Sequence, residues 1–326
     1  TREAYLQAIQ ALHQVNIAVY TDIVLNHRMG ADEQETVRAT PYARDNRLQS
    51  KKEEMEVTVY TNFTFPGRKN LYSDFKWRWY HFDAVDHIVE NPDDHGTIYV
   101  FEGKSFDDYV SDEFGNYDYL MGCDLDFESE EVREELDRWG TWYIDTTALD
   151  GFRIDAVKHI PSWFFPQWLA SMRSYAQVDL FAVAELWDPE LSNLTRYLQE
   201  SQYSLSLFDV PLHFRFYQAS REKQDFDLSS IFDGSLVQIE PDRAVTFVAN
   251  HDSQALQALE SVIEPWFKPL AYALILLRRE GYPCVFIADY EGASYSDYGN
   301  DGNIHDIEMP SFKHIIDMML ALRRTH

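Results

Sequence analysis

The chain has 326 residues, 45% of them hydrophobic and 15% aromatic, which is enough apolar material for a substantial core. Against 28 basic residues it carries 55 acidic ones, a formal net charge of −27 that argues against nucleic acids and anionic membranes as partners. The two cysteines, Cys123 and Cys284, lie far apart in the sequence, so we expect free, buried thiols and no disulfide framework.

Helix and strand patterns alternate along most of the chain. An opening helix, with Thr1 as its N-cap, leads into an apolar strand within 16–27 that we expect to be buried on both faces. From Arg28 to about Phe127 the pattern is broken by charged, aromatic and turn-forming residues, which predicts an irregular β-rich insertion. Beyond it, helices alternate with further apolar strands at 148–155, 180–185, 203–210, 244–250 and 282–289.

This alternation predicts an α/β fold with a parallel sheet and helical crossovers. Six such strands can be counted, whereas a closed (β/α)₈ barrel needs eight. We therefore predict an incomplete (β/α)₈ TIM barrel formed by 1–27 and 128–326, with about its third to eighth strands present. Residues 28–127 would form a domain inserted after the third strand. We also expect the chain to be a fragment, truncated at both ends, and inactive or unstable in isolation.

Polar residues end four of the predicted strands. Asn26 and His27 end the first, Arg153 and Asp155 the second, and Glu185 the third, while Asn250, His251 and Asp252 follow a later one. In a parallel barrel the carboxyl ends of the strands open onto one face, where active sites lie. The sequence therefore predicts that three carboxylates converge there: Asp155, Glu185 and Asp252.

Converging carboxylates are typical of glycoside hydrolysis, in which one attacks the sugar and another protonates the departing oxygen. Asp155 suits the nucleophile, because Arg153 lies on the same face of the strand and would keep it ionised. Glu185 lies in the apolar string "VAELW", where desolvation would keep it protonated as the general acid. Asp252 would hydrogen-bond the sugar. A divalent metal site of a hydrolase or lyase, or isolated capping and surface residues, are the alternatives.

Four short strings resemble the four ordered motifs of the α-amylase family of glycoside hydrolases. They are "DIVLNH" (22–27), "GFRIDAVKH" (151–159), "AELW" (184–187) and "FVANHD" (247–252). Longer strings such as "EPWFKPLAYALILLR" (264–278) narrow the resemblance to the bacterial liquefying-type enzymes. Ala249, where most members have Asp, resembles the intracellular branch and implies a cytoplasmic protein, with secretion as the alternative.

The resemblance implies retaining endo-hydrolysis of α-1,4-glucosidic bonds in starch, glycogen and maltooligosaccharides through a covalent glycosyl-enzyme intermediate. It assigns Asp155 as nucleophile, Glu185 as acid/base and Asp252 as stabiliser of the transition state. The residues implied in substrate binding are His27, Arg153, Lys158, His159, Trp187 and His251. An α-glucan is the implied partner, and the complete protein would be a monomer. The alternatives are an exo-acting maltooligosaccharide-forming amylase, a transglycosylase, a catalytically silent relative and an inactive fragment.

The resemblance also implies a structural Ca²⁺ between barrel and insertion. Asn26, Asp118 and Asp124 would bind it together with the main-chain carbonyl of His159. A second metal ion would be held by Asp83, Asp107 and Asp126, for which a solvated acidic surface is the alternative. Hard oxygen ligands gathered from distant segments suit Ca²⁺. Of the aromatic residues, we expect Trp77 and Trp79 to pack within the insertion and Trp187 to line the cleft.

Overall fold

The computed structural model describes residues 1–69 and 71–325, which fall into two compact units. The first comprises residues 1–185 and 200–205, and the second comprises 186–199 and the chain from Ser206 onward. Both units contain parallel strands that alternate with helices, as predicted for an α/β protein. Among the described residues, no helix is both long and apolar enough to cross a membrane.

The first unit combines a parallel and an antiparallel sheet. Its helices are α1 (Arg2–Gln14), α2 (Glu130–Thr147) and α3 (Phe164–Ala176). Its strands are β1 (Tyr20–Ile23), β2 (His27–Arg28), β3 (Glu33–Ala43), β4 (Asn46–Ser50), β5 (Met55–Asn62), β6 (Phe82–Val85), β7 (Thr97–Phe101), β8 (Cys123–Leu125), β9 (Gly151–Ile154) and β10 (Phe181–Ala184). As predicted, Thr1 caps α1, because its hydroxyl accepts from the amide of Ala4.

Strand β9 lies between β1 and β10, parallel to both. Its first residue has to be glycine, because a Cβ on Gly151 would lie 2.3 Å from the carbonyl oxygen of Phe181. On the other side of the strand, Phe152 packs on Trp168 of α3 with ring centroids 5.1 Å apart. The neighbouring strand and helix α3 therefore pack closely against the beginning of β9.

Residues 27–125 contain the antiparallel sheet, in the order β2-β8-β6-β7-β3-β4, with β5 paired to β3. Its core includes Ala84, Ile98, Val100 and Tyr119. Trp77 is 1% exposed and stacks on Phe82, which confirms that this indole packs inside the insertion. The parallel strands lie outside this range, but the boundaries between barrel and insertion stay a prediction.

The second unit contains three parallel strands, β11 (Ser206–Phe208), β12 (Ala244–Phe247) and β13 (Tyr282–Cys284), and the antiparallel pair β14 (Ala293–Tyr298) and β15 (Ile304–Met309). Its helices are α4 (Leu191–Glu200), α5 (Val210–Glu222), α6 (Leu236–Ile239), α7 (Lys268–Leu276), α8 (Ile287–Glu291) and α9 (Lys313–Thr325). Helix α7 is buried through Ala271, Tyr272, Ile275 and Leu276, as its apolar sequence predicts.

Two expectations are wrong in detail. Strand β1 is shorter than expected and buried on one face only, because Tyr20 and Asp22 alternate with buried Thr21 and Ile23. Cys284 is exposed, whereas Cys123 is buried as predicted. The reason is that Cys284 ends the short strand β13, whose other residues are themselves exposed or half-buried.

Candidate active site

Two predicted catalytic residues follow neighbouring parallel strands. The ends of these strands are in register, since Ile154 of β9 pairs with Ile23 of β1 and with Ala184 of β10. The ladder continues past the strands, because the amide of Asp155 donates to the Ile23 carbonyl at 3.0 Å and that of Glu185 to the Ile154 carbonyl at 2.9 Å. Asp155 and Glu185 therefore lie side by side at the carboxyl ends of these strands.

One guanidinium joins the two carboxylates. Nη1 of Arg153 donates to Oδ1 of Asp155 at 2.6 Å, and its Nη2 donates to Oε2 of Glu185. Nη1 also lies 2.9 Å from Oδ1 of Asp22. Burial alone would lower the pKa of Arg153, but the negative charges of Glu185, Asp22 and Asp155 raise it above its ordinary value. Arg153 is therefore a fixed positive charge between the two predicted catalytic groups.

Sequence reasoning missed two features of this cluster. Asp22 contributes a third carboxylate, which reaches Arg153 because the two residues are partners in the parallel register of β1 and β9. Glu185 is buried as expected, with 8% of its side chain exposed, but its surroundings are not purely apolar. The reason is that the guanidinium, from the adjacent strand, lies against its carboxylate.

Beyond Asp155 the chain turns towards the insertion. Ala156 adopts a left-handed conformation with φ of 50°, and Val157–His159 form one turn of 3₁₀ helix. Nζ of Lys158 donates to Oε2 of Glu113 at 3.0 Å. The ring of His159 is buried, with Nδ1 2.6 Å from the carbonyl oxygen of Tyr117, and burial lowers the pKa of this imidazole to about 3. His159 is therefore neutral and structurally fixed at physiological pH.

His27 lies between the strand ends and the acidic residues of the insertion. It begins β2, where it pairs with Asp124 of β8. Burial lowers the pKa of His27, while the charges of Asp155 and Asp86 raise it. The imidazole therefore interacts electrostatically with the predicted nucleophile, Asp155. Its Nδ1 is buried and has no hydrogen-bond partner among the described residues. The sugar-binding role of His27 stays a prediction.

The remaining predicted catalytic and substrate-binding residues, Trp187, His251 and Asp252, belong to the second unit. Oδ1 of Asn250 accepts from the amides of Asp252 at 3.1 Å and Ser253 at 2.8 Å, which fixes the turn after β12. Nε2 of the exposed His251 lies 3.3 Å from Oδ2 of Asp252. Trp187 packs against Phe247, with ring centroids 6.2 Å apart. The action of Asp252, His251 and Trp187 together with Asp155 and Glu185 stays a prediction.

Most of the predicted metal ligands are buried acids or amides close to one another. Nδ2 of Asn26 donates to Oδ1 of Asp124 at 3.3 Å, and the amide of Asp107 donates to Oδ2 of Asp118 at 2.9 Å. Carboxylate oxygens of Asp83, Asp107 and Asp118 lie within 4.8 Å of one another. The residues predicted for the first metal and for the second thus belong to one buried polar region.

The oxygen atoms that this region offers as ligands suit a hard cation. Four buried oxygens have no hydrogen-bond partner among the described residues: Asn26 Oδ1, Asp83 Oδ2, Asp107 Oδ2 and Asp124 Oδ2. Burial, and then the charges of Asp118 and Asp126, raise the pKa of Asp107 to about 9. Burial likewise raises the pKa of Asp118 to about 7. Buried anionic oxygens that lack donors are costly, and a divalent cation would offset that cost.

Asp126 has a different environment from the other acids. Its Oδ2 accepts from Nζ of Lys104, and its Oδ1 accepts from the amide of Ser129 at 3.0 Å. The group of three closely spaced carboxylates contains Asp118 in place of Asp126. Sequence reasoning missed Lys104, which neutralises one acid of the predicted second cluster.

Comparison with known proteins identifies the family. The model of the α-amylase catalytic domain matches residues 1–301. The chain belongs to this family. It is 47% identical over 322 residues to the cytoplasmic α-amylase of Escherichia coli K12, covering 98% of this chain and 65% of the relative. It is 49% identical over 294 residues to the glucan 1,4-α-maltohexaosidase of Bacillus sp. strain 707, covering 90% of this chain and 57% of the relative.

Solved structures confirm the predicted fold class. The α-amylase of Geobacillus thermoleovorans, in a complex with acarbose, aligns with a TM-score of 0.61 at 19% identity. The alignment covers all of this chain and 62% of that structure. The α-amylase catalytic domain is a (β/α)₈ barrel, and the parallel strands and helices described above correspond to part of one. The chain spans about 57–65% of the length of the two relatives named above.

Proposed function

We propose that the protein is a retaining α-amylase that hydrolyses internal α-1,4-glucosidic bonds of starch, glycogen and maltooligosaccharides. The observation that carries this proposal is the contact of Arg153 with both Asp155 and Glu185 at adjoining strand ends. Retaining glycosidases need two carboxyl groups on one substrate, one as nucleophile and one as acid/base. Membership of the α-amylase family supports the choice of an α-glucan as the substrate.

In this mechanism Glu185 first takes up a proton, which requires that it leave the guanidinium of Arg153 when substrate binds. Asp155 then attacks the anomeric carbon while Glu185 gives this proton to the departing glycosidic oxygen. The bond formed is an ester between the sugar and Asp155, and the bond broken is the α-1,4 link. Glu185 then takes a proton from water, which attacks the anomeric carbon and releases Asp155. Arg153 orients Asp155 and keeps it charged. Asp252 would stabilise the transition state, and His27 and His251 would bind the sugar.

The substrate path extends along the turn that follows the nucleophile. Lys158 and His159 would border the side of the leaving sugar, since they directly follow the Asp155 turn and face Tyr117. Trp187 follows Glu185 by two residues and would offer a ring to the substrate. Its packing on Phe247 supports a fixed orientation of the indole.

Calcium is the metal that the buried acids fit best. Asn26, Asp118 and Asp124, with the main-chain carbonyl of His159, would hold one ion, and Asp83 and Asp107 would hold a second. Asp126 would join this second set only by leaving Lys104. Bound Ca²⁺ supplies charge neutralisation and a cross-link between segments, with no part in bond cleavage. The four buried oxygens without partners support this assignment.

The proposal also includes the partner of the protein, its oligomeric state and its location in the cell. An α-glucan is the partner, and the protein would act as a monomer in the cytoplasm. The relative described as a cytoplasmic α-amylase supports this location, as does the buried free thiol of Cys123. We also propose residues 1–27 and 128–326 as barrel and 28–127 as the inserted calcium-binding domain. The position of the antiparallel strands within 27–125 supports this division.

A maltohexaose-forming exo-amylase is the second candidate, favoured by the 49% identity to the maltohexaosidase. Soluble starch digested by the full-length protein separates the two activities. A ladder of mixed oligosaccharides early in the reaction is expected for internal cleavage, whereas one dominant product would favour the exo-enzyme.

Variants of the same protein test the assignment of the acid/base. Glu185→Gln should lose roughly 10²–10⁴-fold in turnover. Glu190→Gln, at an exposed position five residues later in the sequence, should retain full turnover. NMR of the first product should show the α-anomer, and an initial β-anomer would rule out retention. Full activity of Glu185→Gln would overturn the proposed function.

A further inference from the structure

A cavity of the first unit lies between Arg68, residues 72–75 and helix α2. Its volume is about 600 Å³, within the range of small-molecule sites. The residues that matter for its chemistry are Arg28, Arg68, Tyr72, Arg138, Trp139 and Trp142. None of them belongs to the proposed catalytic or metal-binding residues.

The lining of this cavity is cationic in a strongly acidic protein. Three arginines face two acids, Asp74 and Glu135. The buried Glu135 is already engaged, because its Oε2 accepts from Nε of Arg138 at 2.9 Å and its Oε1 accepts from Ser73 at 3.3 Å. Arg28 and Arg68 therefore lack a carboxylate of their own, although the chain as a whole carries a charge of −27.

One face of each of these two guanidinium groups is covered by an aromatic ring, and the N–H groups of each make no hydrogen bond to a described residue. The guanidinium of Arg28 lies 3.9 Å from the ring centroid of Trp77, and that of Arg68 lies 3.5 Å from the ring of Phe65. In the described part of the chain, neither side chain has an ion pair or a hydrogen bond, and Nε of Arg28 is buried without a partner. Burial also lowers the pKa of Arg28 to about 10. Both guanidinium groups are therefore available to bind an anion.

Aromatic rings complete the cavity. Trp142 is 39% exposed, and its ring lies 5.8 Å from that of the exposed Tyr72. Trp139 is held in place by stacking on Tyr143, with centroids 5.2 Å apart and planes 14° apart. Partly exposed rings whose orientation is fixed can stack on a ring of a ligand. The cavity thus combines flat apolar faces with two guanidinium groups free to bind.

We propose that this cavity binds a phosphate monoester of a ring compound. The phosphate group is held by Arg28 and Arg68, and the ring stacks on Trp142 and Tyr72. A phosphate monoester offers three acceptor oxygens and nearly two negative charges, which suit two guanidinium groups better than a single carboxylate does. A sugar phosphate and a nucleoside monophosphate share this chemistry, and the experiment distinguishes them.

Calorimetric titration of the full-length protein tests the site with four probes: inorganic phosphate, glucose 6-phosphate, adenosine monophosphate and maltose. We expect saturable binding of at least one monoester, tighter than that of inorganic phosphate, and whichever monoester binds tighter identifies the source. Arg68→Gln should weaken it by about tenfold or more, because a charge-assisted hydrogen bond is lost. Lys69→Gln removes the same charge at the adjacent exposed residue, outside the cavity, and should leave binding unchanged.

A second variant examines the ring contact and does not depend on the arginines. Trp142→Leu should weaken the monoester while leaving inorganic phosphate unaffected, and a thermal unfolding curve for each variant verifies that it folds. The proposal is overturned if neither monoester binds, if inorganic phosphate binds as tightly, or if Arg68→Gln weakens the binding of maltose as much as that of the monoester. It is equally overturned if Lys69→Gln weakens binding as much as Arg68→Gln does.

Discussion

Arg153 donates from Nη1 to Oδ1 of Asp155 at 2.6 Å, across the carboxyl end of strand β9. The same guanidinium reaches Glu185 with its other terminal nitrogen. A single cation therefore sets the position of both groups on which the proposed chemistry depends. Its 15% exposed side chain keeps this interaction away from bulk water, where it would be weaker.

Replacing Arg153 tests this arrangement. Arg153→Lys keeps the charge but cannot contact two carboxylates through a planar fork. We expect kcat to fall by about 10²-fold, on the order of the loss when a preorganised donor is removed from an active site. KM should change less than kcat, since the contacts of Arg153 are with Asp155 and Glu185 and serve mainly to position these carboxylates. Steady-state kinetics with a chromogenic maltooligosaccharide measure both quantities.

Arg38→Lys is the matched control, because Arg38 is exposed and pairs with Glu54 at the surface. Its kinetics should equal those of the unmodified protein. An Arg153→Lys protein with unchanged kcat would show that the double contact is dispensable.

Removing calcium should lower the thermal stability of the full-length protein. The buried acids around Asp118 and Asp124 have raised pKa values, caused first by burial, so without a cation they are poorly accommodated. A chelator should therefore lower Tm, and adding Ca²⁺ back should restore it. Asp124→Asn should reduce this response, whereas Asp179→Asn, at an exposed position, should not. Equal Tm values with and without chelator would refute the metal assignment.

His213 should make stability depend on pH. It is fully buried, and burial lowers the pKa of its imidazole from 6.5 to about 4. Between these values the unfolded chain binds more protons than the folded one, so stability is fully present above pH 6.5 and falls as pH drops towards 4. At pH 5 the loss is about 2 kcal/mol. Denaturant unfolding of the protein and of His213→Gln at pH 7 and pH 5 isolates this contribution. Parallel losses in both proteins would contradict it.

A buried ion pair in the second unit should be sensitive to the loss of one partner. Lys268 and Asp289 contact each other with side chains 7% and 1% exposed, and Tyr272 donates to Asp289 at 2.8 Å. Asp289→Leu leaves the ammonium buried and alone, which should cost about 3–5 kcal/mol. Replacing both residues, Lys268→Met with Asp289→Leu, should recover part of the loss. Urea unfolding measures each step, and a double variant no more stable than the single one would argue against this pair.

The sequence predicts those parts of the site that depend on local geometry. The contact of Arg153 with Asp155 follows from alternation along a strand, because residues two apart share a face. The contacts of Arg153 with Asp22 and Glu185 depend on the register between strands, which no local pattern encodes. Likewise, Lys104 meets Asp126 only through folding of the insertion, so the sequence offered no signal for that pair.

The helices and strands show the same difference: local sequence patterns predict some of them, whereas contacts between distant segments determine others. Helices α2 and α3 precede β9 and β10, as the alternation of helices and strands predicts, because apolar periodicity and flanking turns are local. The hairpin β14–β15 is not among the predicted strands, although "GNDGN" (299–303) between its strands is typical of a turn. Strand β1 was predicted too long, since the apolar run continues past the point where its pairing with β9 ends.

Trapping the glycosyl-enzyme tests the central claim most directly. A 2-deoxy-2-fluoro maltosyl fluoride acts as a slow substrate, because the fluorine destabilises the transition states while the good leaving group still permits the first step. After incubation with the full-length protein and protease digestion, mass spectrometry should find the added sugar on the peptide that contains Asp155, and Asp155→Asn should show none. A sugar attached to Glu185 or Asp252, or no covalent adduct despite turnover of the reagent, would contradict Asp155 as the nucleophile.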